Sequence, residues 1–159
     1  MQVAELMSRE VITVTRDTLV QDVTRLLARR GISGVPVLNA DGTIAGIVTE
    51  EDLIVRHANP HLPLYLNVLD GFFPFRGEHQ FQEEVRHLLA TRAEELMNPK
   101  PVVIPPSMDV ESAATLMVDT HTSPVLVAEG GLLVGILSRS DIIRLMVLEE
   151  RQAEETENQ

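Results

Sequence analysis

The chain has no cysteine among its 159 residues. That absence removes disulfide frameworks, thiolate zinc sites and cysteine nucleophiles together, while saying little about compartment. Cations are scarce as well, with 13 Lys and Arg against 24 Asp and Glu and a formal charge of −11. A phosphate-backbone surface needs clustered Lys and Arg, so the composition counts against nucleic acid as a partner. A single small anion stays possible, because local backbone amides can hold one against an unfavourable average field. There is no run of eighteen apolar residues, and no basic N-region leading into an apolar stretch and a small-residue cleavage site. Neither membrane spanning nor export is expected, and the expected location is the cytoplasm. With 44% apolar residues, the length suits one domain or two small ones sharing a core.

What is present is a phrase written twice. "GIVTEEDLIV" begins at Gly46 and "GILSRSDIIR" at Gly135, 89 positions later, with a glycine, a hydroxyl and an aspartate in register. Each copy ends a similar series. In the first half, Val11 to Val14 reads as a strand, Leu19 to Arg30 as a helix, Gly34 to Leu38 and Thr43 to Thr49 as a hairpin around "NADG", and a helix follows from Glu50. In the second, Pro101 to Ile104, Asp109 to Val118, Ser123 to Val127 and Leu132 to Ser138 repeat the order, with Glu129 to Gly131 as the turn. Met7 sits over Met97, Val20 over Val110, Leu26 over Leu116, Pro36 over Pro124 and Asp52 over Asp141. A match this long points to an internal duplication whose copies bury their sheets against each other.

The expected organisation is a first repeat over 1–57, an insert over 58–95, a second repeat over 96–148 and a polar tail over 149–159. The stretch from Ala58 to Arg92 holds every aromatic residue, Tyr65, Phe72, Phe73, Phe75 and Phe81, and a helix is expected from Glu78 to Glu95. These aromatics suit a satellite core under a crossing segment, or a lobe that covers a ligand or partner. The tail should extend the last helix briefly and fray. "DIIRLMVL" (Asp141 to Leu148) is apolar at six of eight positions, too broad a stripe for one sheet face. Its second face needs cover, from a second copy or from the insert.

Each repeated phrase is a strand-to-helix corner. A hydroxyl followed three residues later by an acid resembles a helix N-cap, and capping alone accounts for that pair. It accounts less well for the glycine inside the strand, a position that suggests something approaching the backbone closely. The same groups suit a nucleotide. Helix amides and a hydroxyl (Thr49 or Ser138) would meet phosphate, and a carboxylate (Asp52 or Asp141) would accept from both ribose hydroxyls.

The paired units, with "GISGVPVL" and "HTSPVLV" before the hairpins and the duplicated glycine–apolar–x–Thr/Ser–x–x–Asp phrase after them, resemble a tandem cystathionine-β-synthase (CBS) domain pair, or Bateman module, of the stand-alone bacterial or archaeal type. The resemblance covers Met1 to Leu148 apart from the insert. It implies an α/β (α+β) fold of two β-α-β-β-α repeats packed pseudo-symmetrically, with no catalysis. It further implies clefts between repeats that bind AMP, ADP, ATP or S-adenosylmethionine and signal through a homodimer to a target protein. Carried onto this chain, it assigns phosphate contacts to Thr49 and Ser138 and ribose contacts to Asp52 and Asp141. Base and ribose contacts fall to Thr13, Val103, the segment Ser33, Gly34, Val35, Pro36, and the segment Thr122, Ser123, Pro124. Glu50 and Glu51 follow Thr49, whereas Arg139 and Ser140 follow Ser138, so the Ser138 corner is expected to be the better anion site.

Rival chemistries fare worse. His57 and His61 are four apart, but Pro60 breaks a helix there and no carboxylate completes a zinc set, so no metal is expected. Ser33, Ser123 and Ser138 lack the flanking glycines of a nucleophile elbow, and neither a phosphate loop nor a dinucleotide fingerprint occurs. The rival of another class is a ligand-free scaffold that holds a partner through the aromatic insert.

Overall fold

The computed structural model describes residues 1–57 and 90–157. The first half runs α1 (Val3–Leu6), β1 (Val14–Thr15), α2 (Val20–Arg30), β2 (Gly34–Leu38), β3 (Ile44–Thr49) and α3 (Glu50–His57). The second runs α4 (Ala93–Leu96), β4 (Val103–Ile104), α5 (Val110–Asp119), β5 (Val125–Glu129), β6 (Leu132–Leu137) and α6 (Arg139–Glu157). Each half makes a three-stranded sheet, β1-β2-β3 or β4-β5-β6, in which a parallel pair is joined to an antiparallel hairpin.

The periodicity of the crossover helices explains how they sit. Val20, Val23 and Leu27 share one face of α2 and are buried, while Gln21, Asp22 and Arg25 face solvent. Burial of side chains of this size stabilises the fold by roughly 1.5–3 kcal/mol each. Gly31 ends the helix in the left-handed conformation at φ 62°, its N–H reaching Leu27 O. Val110, Ala113 and Met117 play the same part in α5.

Strand register corrects one alignment. Val35 pairs with Val48 and Val125 with Leu137, so Gly34, not Pro36, corresponds to Pro124. The spacing between copies is therefore 90 residues from Met7 to Leu38 and 89 after the hairpins, because the turn at Gly130 and Gly131 is one residue shorter. Gly34 and Pro124 meet face to face, since a Cβ on Gly34 would lie 2.9 Å from Pro124 Cδ.

The two cores are completed by exchange. The first contains Val20, Val23, Leu27, Val35, Val37 and Val48 together with Ala90, Ala93, Leu96 and Met97, from the segment that leads into β4 of the second repeat. The second contains Ile104, Ala113, Met117, Val125, Val127 and Leu137 together with Val3 and Met7, from the segment that leads into β1 of the first. Backbone bonds fix the crossing. Val20 N donates to Thr91 O at 2.9 Å and Ala93 N to Thr18 O at 2.8 Å, while Val3 N donates to Met108 O at 2.8 Å and Val110 N to Met1 O at 3.1 Å. Each repeat thus lends its leading segment to the other.

This exchange explains the strand glycines. A Cβ on Gly46 would lie 2.5 Å from Asn98 O and 2.8 Å from Met97 Sδ, and one on Gly135 would overlap Met7 Sδ. What approaches the backbone is the lent segment, not a ligand. Ser8 and Ile136 exchange N–H to O bonds of 3.0 Å at the same place, as do Ile47 and Asn98.

Two expected helix limits differ. The helix expected from Glu78 to Glu95 does not run through Ala90 to Arg92, where the chain is extended to pair with the start of α2, and its earlier part lies outside the described residues, as do the aromatics. The last helix does not end soon after Leu148 but continues to Glu157. Among the described residues no helix is long and apolar enough to cross a membrane.

Candidate functional site

Both corners close on themselves. Asp52 Oδ2 accepts from Thr49 N at 2.8 Å and Thr49 Oγ1 at 3.0 Å. Asp141 Oδ2 accepts from Ser138 N at 2.8 Å and Ser138 Oγ at 2.7 Å. The acid half of the capping box forms in both copies, the carboxylate accepting from the backbone N–H of the corner residue, and the hydroxyl donates to the same oxygen, which fixes each pair at the mouth of a helix. Asp141 is 5% exposed, the one buried charge among the described residues, and Arg144 Nη1 lies 3.3 Å from its second oxygen.

A cavity of about 420 Å³ opens in front of the Ser138 corner. This is within the usual size of small-molecule clefts. One wall comes from the second repeat: Pro124, Ile136, Ser138, Ser140, Asp141 and Arg144. The other comes from the first: Ser8 and Glu10, then Val11 and Ile12 ahead of β1, Gly31 to Gly34 entering β2, and Glu50 at the head of α3. Val11, Ile12, Ile32 and Ile136 give it an aliphatic lining, and Ser138, Ser140, Asp141 and Glu50 stand at the starts of α6 and α3.

The sequence expectations divide accordingly. Ser33, Gly34, Pro124, Ser138, Ser140 and Asp141 line this cavity. Val35 and Pro36 do not, because both are buried in the sheet core. Thr13 and Val103 are exposed, and the neighbouring Ile12 takes the lining position instead. Thr49, Asp52, Thr122, Ser123 and Arg139 do not line the cavity; Arg139 N donates to Ser123 Oγ at 3.2 Å. That placement changes the charges found around the Ser138 corner. Arg139 does not line the Ser138 cavity, and Glu50, expected to burden the Thr49 corner, does. The cause is the packing of the repeats, since Glu50 N donates to Ser33 O at 2.9 Å and so heads α3 beside the other repeat's cleft.

Ser8, Glu10, Val11, Ile12, Gly31, Ile32, Ile136 and Arg144 are lining residues outside the sequence expectation. Arg144 carries a signal, three residues after Asp141 on a helix, the spacing of an ion pair. Glu10 carries none without the exchange. Among the described residues no group of His, Asp and Glu could hold a metal ion; His61, His79 and His87 lie outside them.

Comparison with known proteins now decides the family. The model of the CBS domain matches twice, over residues 3–58 and 93–148. The chain belongs to the CBS domain family. A protein of Methanocaldococcus jannaschii is 33% identical over 158 residues, covering 92% of each chain. A CBS domain-containing protein of Dictyostelium discoideum is 29% identical, covering 91% of this chain and 90% of its own. Among solved structures, CBSX2 in complex with AMP superposes with a TM-score of 0.76 at 24% identity, covering 92% of this chain and 97% of that one. The CBS domain pair of MJ0100, in complex with 5′-methylthioadenosine and S-adenosyl-L-methionine, gives 0.67 at 20% identity, covering 92% and 99%. At these identities the likeness is one of fold, and it agrees with the paired architecture described above.

Proposed function

We propose that this CBS pair is a regulatory module that binds an adenosine ligand in the cleft before Ser138 and performs no chemistry of its own. The observation that carries the reading is the cavity itself, where an aliphatic slot from one repeat faces the hydroxyl, carboxylate and helix mouth of the other. A base fits between Ile12, Ile32 and Ile136, and a ribose diol can reach the Asp141 carboxylate, already fixed by Ser138. The AMP complex of CBSX2 and the S-adenosylmethionine and methylthioadenosine complex of MJ0100 support an adenosine core as the shared feature. AMP, ADP, ATP and S-adenosylmethionine all carry it.

Signalling requires that the ligand favour one arrangement over another. A homodimer supplies the second arrangement. Ile54 and Val55 of α3 and Ile143, Met146, Val147 and Leu148 of α6 are exposed in the single chain, at related places in the two repeats. Such a strip supports a second copy as its cover, in the cytoplasm, with a target protein reading the dimer. The second reading is a ligand-free scaffold, favoured by the fact that capping alone satisfies both repeated phrases. Calorimetry against AMP, ATP and S-adenosylmethionine separates the two. The sensor binds at least one of them and loses it in Asp141→Ala, whereas a scaffold gives no heat and no shift in unfolding temperature at millimolar ligand.

A further inference from the structure

The Ser138 cleft has the wrong charge for a string of phosphates. Its lining contains three carboxylates, Glu10, Glu50 and Asp141, and one cation, Arg144. That cation is already paired with Asp141 at 3.3 Å. Among the described residues neither Glu10 nor Glu50 is held in an ion pair, and both are exposed at the rim, so nothing there offsets them. The repeat-related corner differs in sign at two of these places, although Glu51 and Asp52 stand there at the positions of Ser140 and Asp141, so its formal charges balance where those of the Ser138 cleft do not. The register that sets Met7 over Met97 sets Lys100 at the position of Glu10, and the register that sets Asp52 over Asp141 sets Arg139 at the position of Glu50. The same two places in the fold therefore carry two acids before one corner and two bases before the other.

We infer that the Ser138 cleft selects its adenosine ligand by charge, accepting an uncharged nucleoside or an adenosylsulfonium and refusing nucleoside polyphosphates. The inference rests on the adenosine reading of the cleft and narrows it. Glu10 and Glu50 act as the excluding groups, since like charges gathered in a partly enclosed cleft repel an incoming triphosphate more than they would in open water. Lys100 and Arg139 mark the other corner as the place where phosphate is tolerated.

Competition calorimetry with 5′-methylthioadenosine as the reporter and ATP as the competitor tests the selection, and a Ser140→Trp variant assigns the signal to this cleft. In the wild-type chain, ATP should displace methylthioadenosine at least about tenfold less well than adenosine does. In the Glu10→Gln, Glu50→Gln double variant, ATP should gain roughly tenfold while methylthioadenosine changes by less than about threefold. Both substitutions are isosteric and at exposed positions, so the fold is retained. Ser140→Trp, a plug on an exposed helix residue at the rim, should abolish the methylthioadenosine titration; survival of that titration would place the ligand elsewhere and overturn the inference. ATP competing as well as adenosine, or a double variant with unchanged ATP competition, would overturn charge selection while leaving the adenosine reading intact. No binding by methylthioadenosine, adenosine, S-adenosylmethionine or ATP would overturn both.

Discussion

The two repeats follow one path and differ in what they place along it. Each has a glycine where the other's leading methionine passes, Gly135 under Met7 and Gly46 under Met97. Each has an aspartate folded back on its corner hydroxyl. The shared residues are those that build the joint, and the divergent ones include Glu10 and Glu50, which line the Ser138 cleft, against Lys100 and Arg139 at the equivalent positions of the second repeat. Duplication keeps what the fold needs twice and frees what only a ligand would notice.

The sharpest break of this symmetry is removal of one lent side chain. Met7→Ala should destabilise the chain by about 2–5 kcal/mol, the usual cost of emptying a packed core site, although Met7 belongs to the leading segment of the first repeat and its core is in the second. Hydrogen exchange should rise first in β5 and β6, and Met97→Ala should do the converse in β2 and β3. Protection lost in the residue's own repeat would contradict the exchange.

A smaller effect is expected from the glycines. Gly46→Ala and Gly135→Ala should each cost roughly 1–3 kcal/mol by overpacking. Chemical denaturation of Gly135→Ala in a Met7→Ala background should show a clearly reduced penalty, because the crowding partner is gone. Additive costs would mean that the glycine answers to something other than Met7.

The smallest contrast is at the crossover helices. Asp109 caps α5, accepting from Ser112 N at 3.0 Å, whereas the equivalent Leu19 gives α2 no side-chain cap. Asp109→Ala should lower the unfolding midpoint and Leu19→Asp should raise it, because one loses and the other gains a side-chain cap. The hydrogen bonds from the Ser112 hydroxyl and backbone hold the Asp109 carboxyl below the usual carboxylate range. Its contribution is therefore present above the ordinary aspartate pKa and lost as pH falls through the lowered one. Asp109→Ala should consequently soften the acid limb of the stability profile.

Much of this was legible in the residues. The duplicated phrase, the hairpin turn at "NADG" and the 3.6-residue spacing of Val20, Val23 and Leu27 fix element order, because they are local patterns. The aspartate corners were legible as caps for the same reason. The exchange was not, since no local pattern says that Met7 packs under Gly135 rather than in its own repeat. That long-range fact is what assigns Glu50 to the Ser138 cleft and Arg139 away from it, and no corner taken alone shows it. Pro36 and Pro124 look alike in sequence, whereas ladder pairing puts Gly34 opposite Pro124.

The most direct measurement is a crystal structure of the chain grown with 5′-methylthioadenosine. The account predicts the adenine between Ile12, Ile32 and Ile136 and the ribose hydroxyls on the Asp141 carboxylate, with the Thr49 corner's aspartate uninvolved in that ligand. A Ser138 cleft left empty at saturating nucleoside, or collapsed by movement of Glu50 and Arg144 into it, would contradict the account.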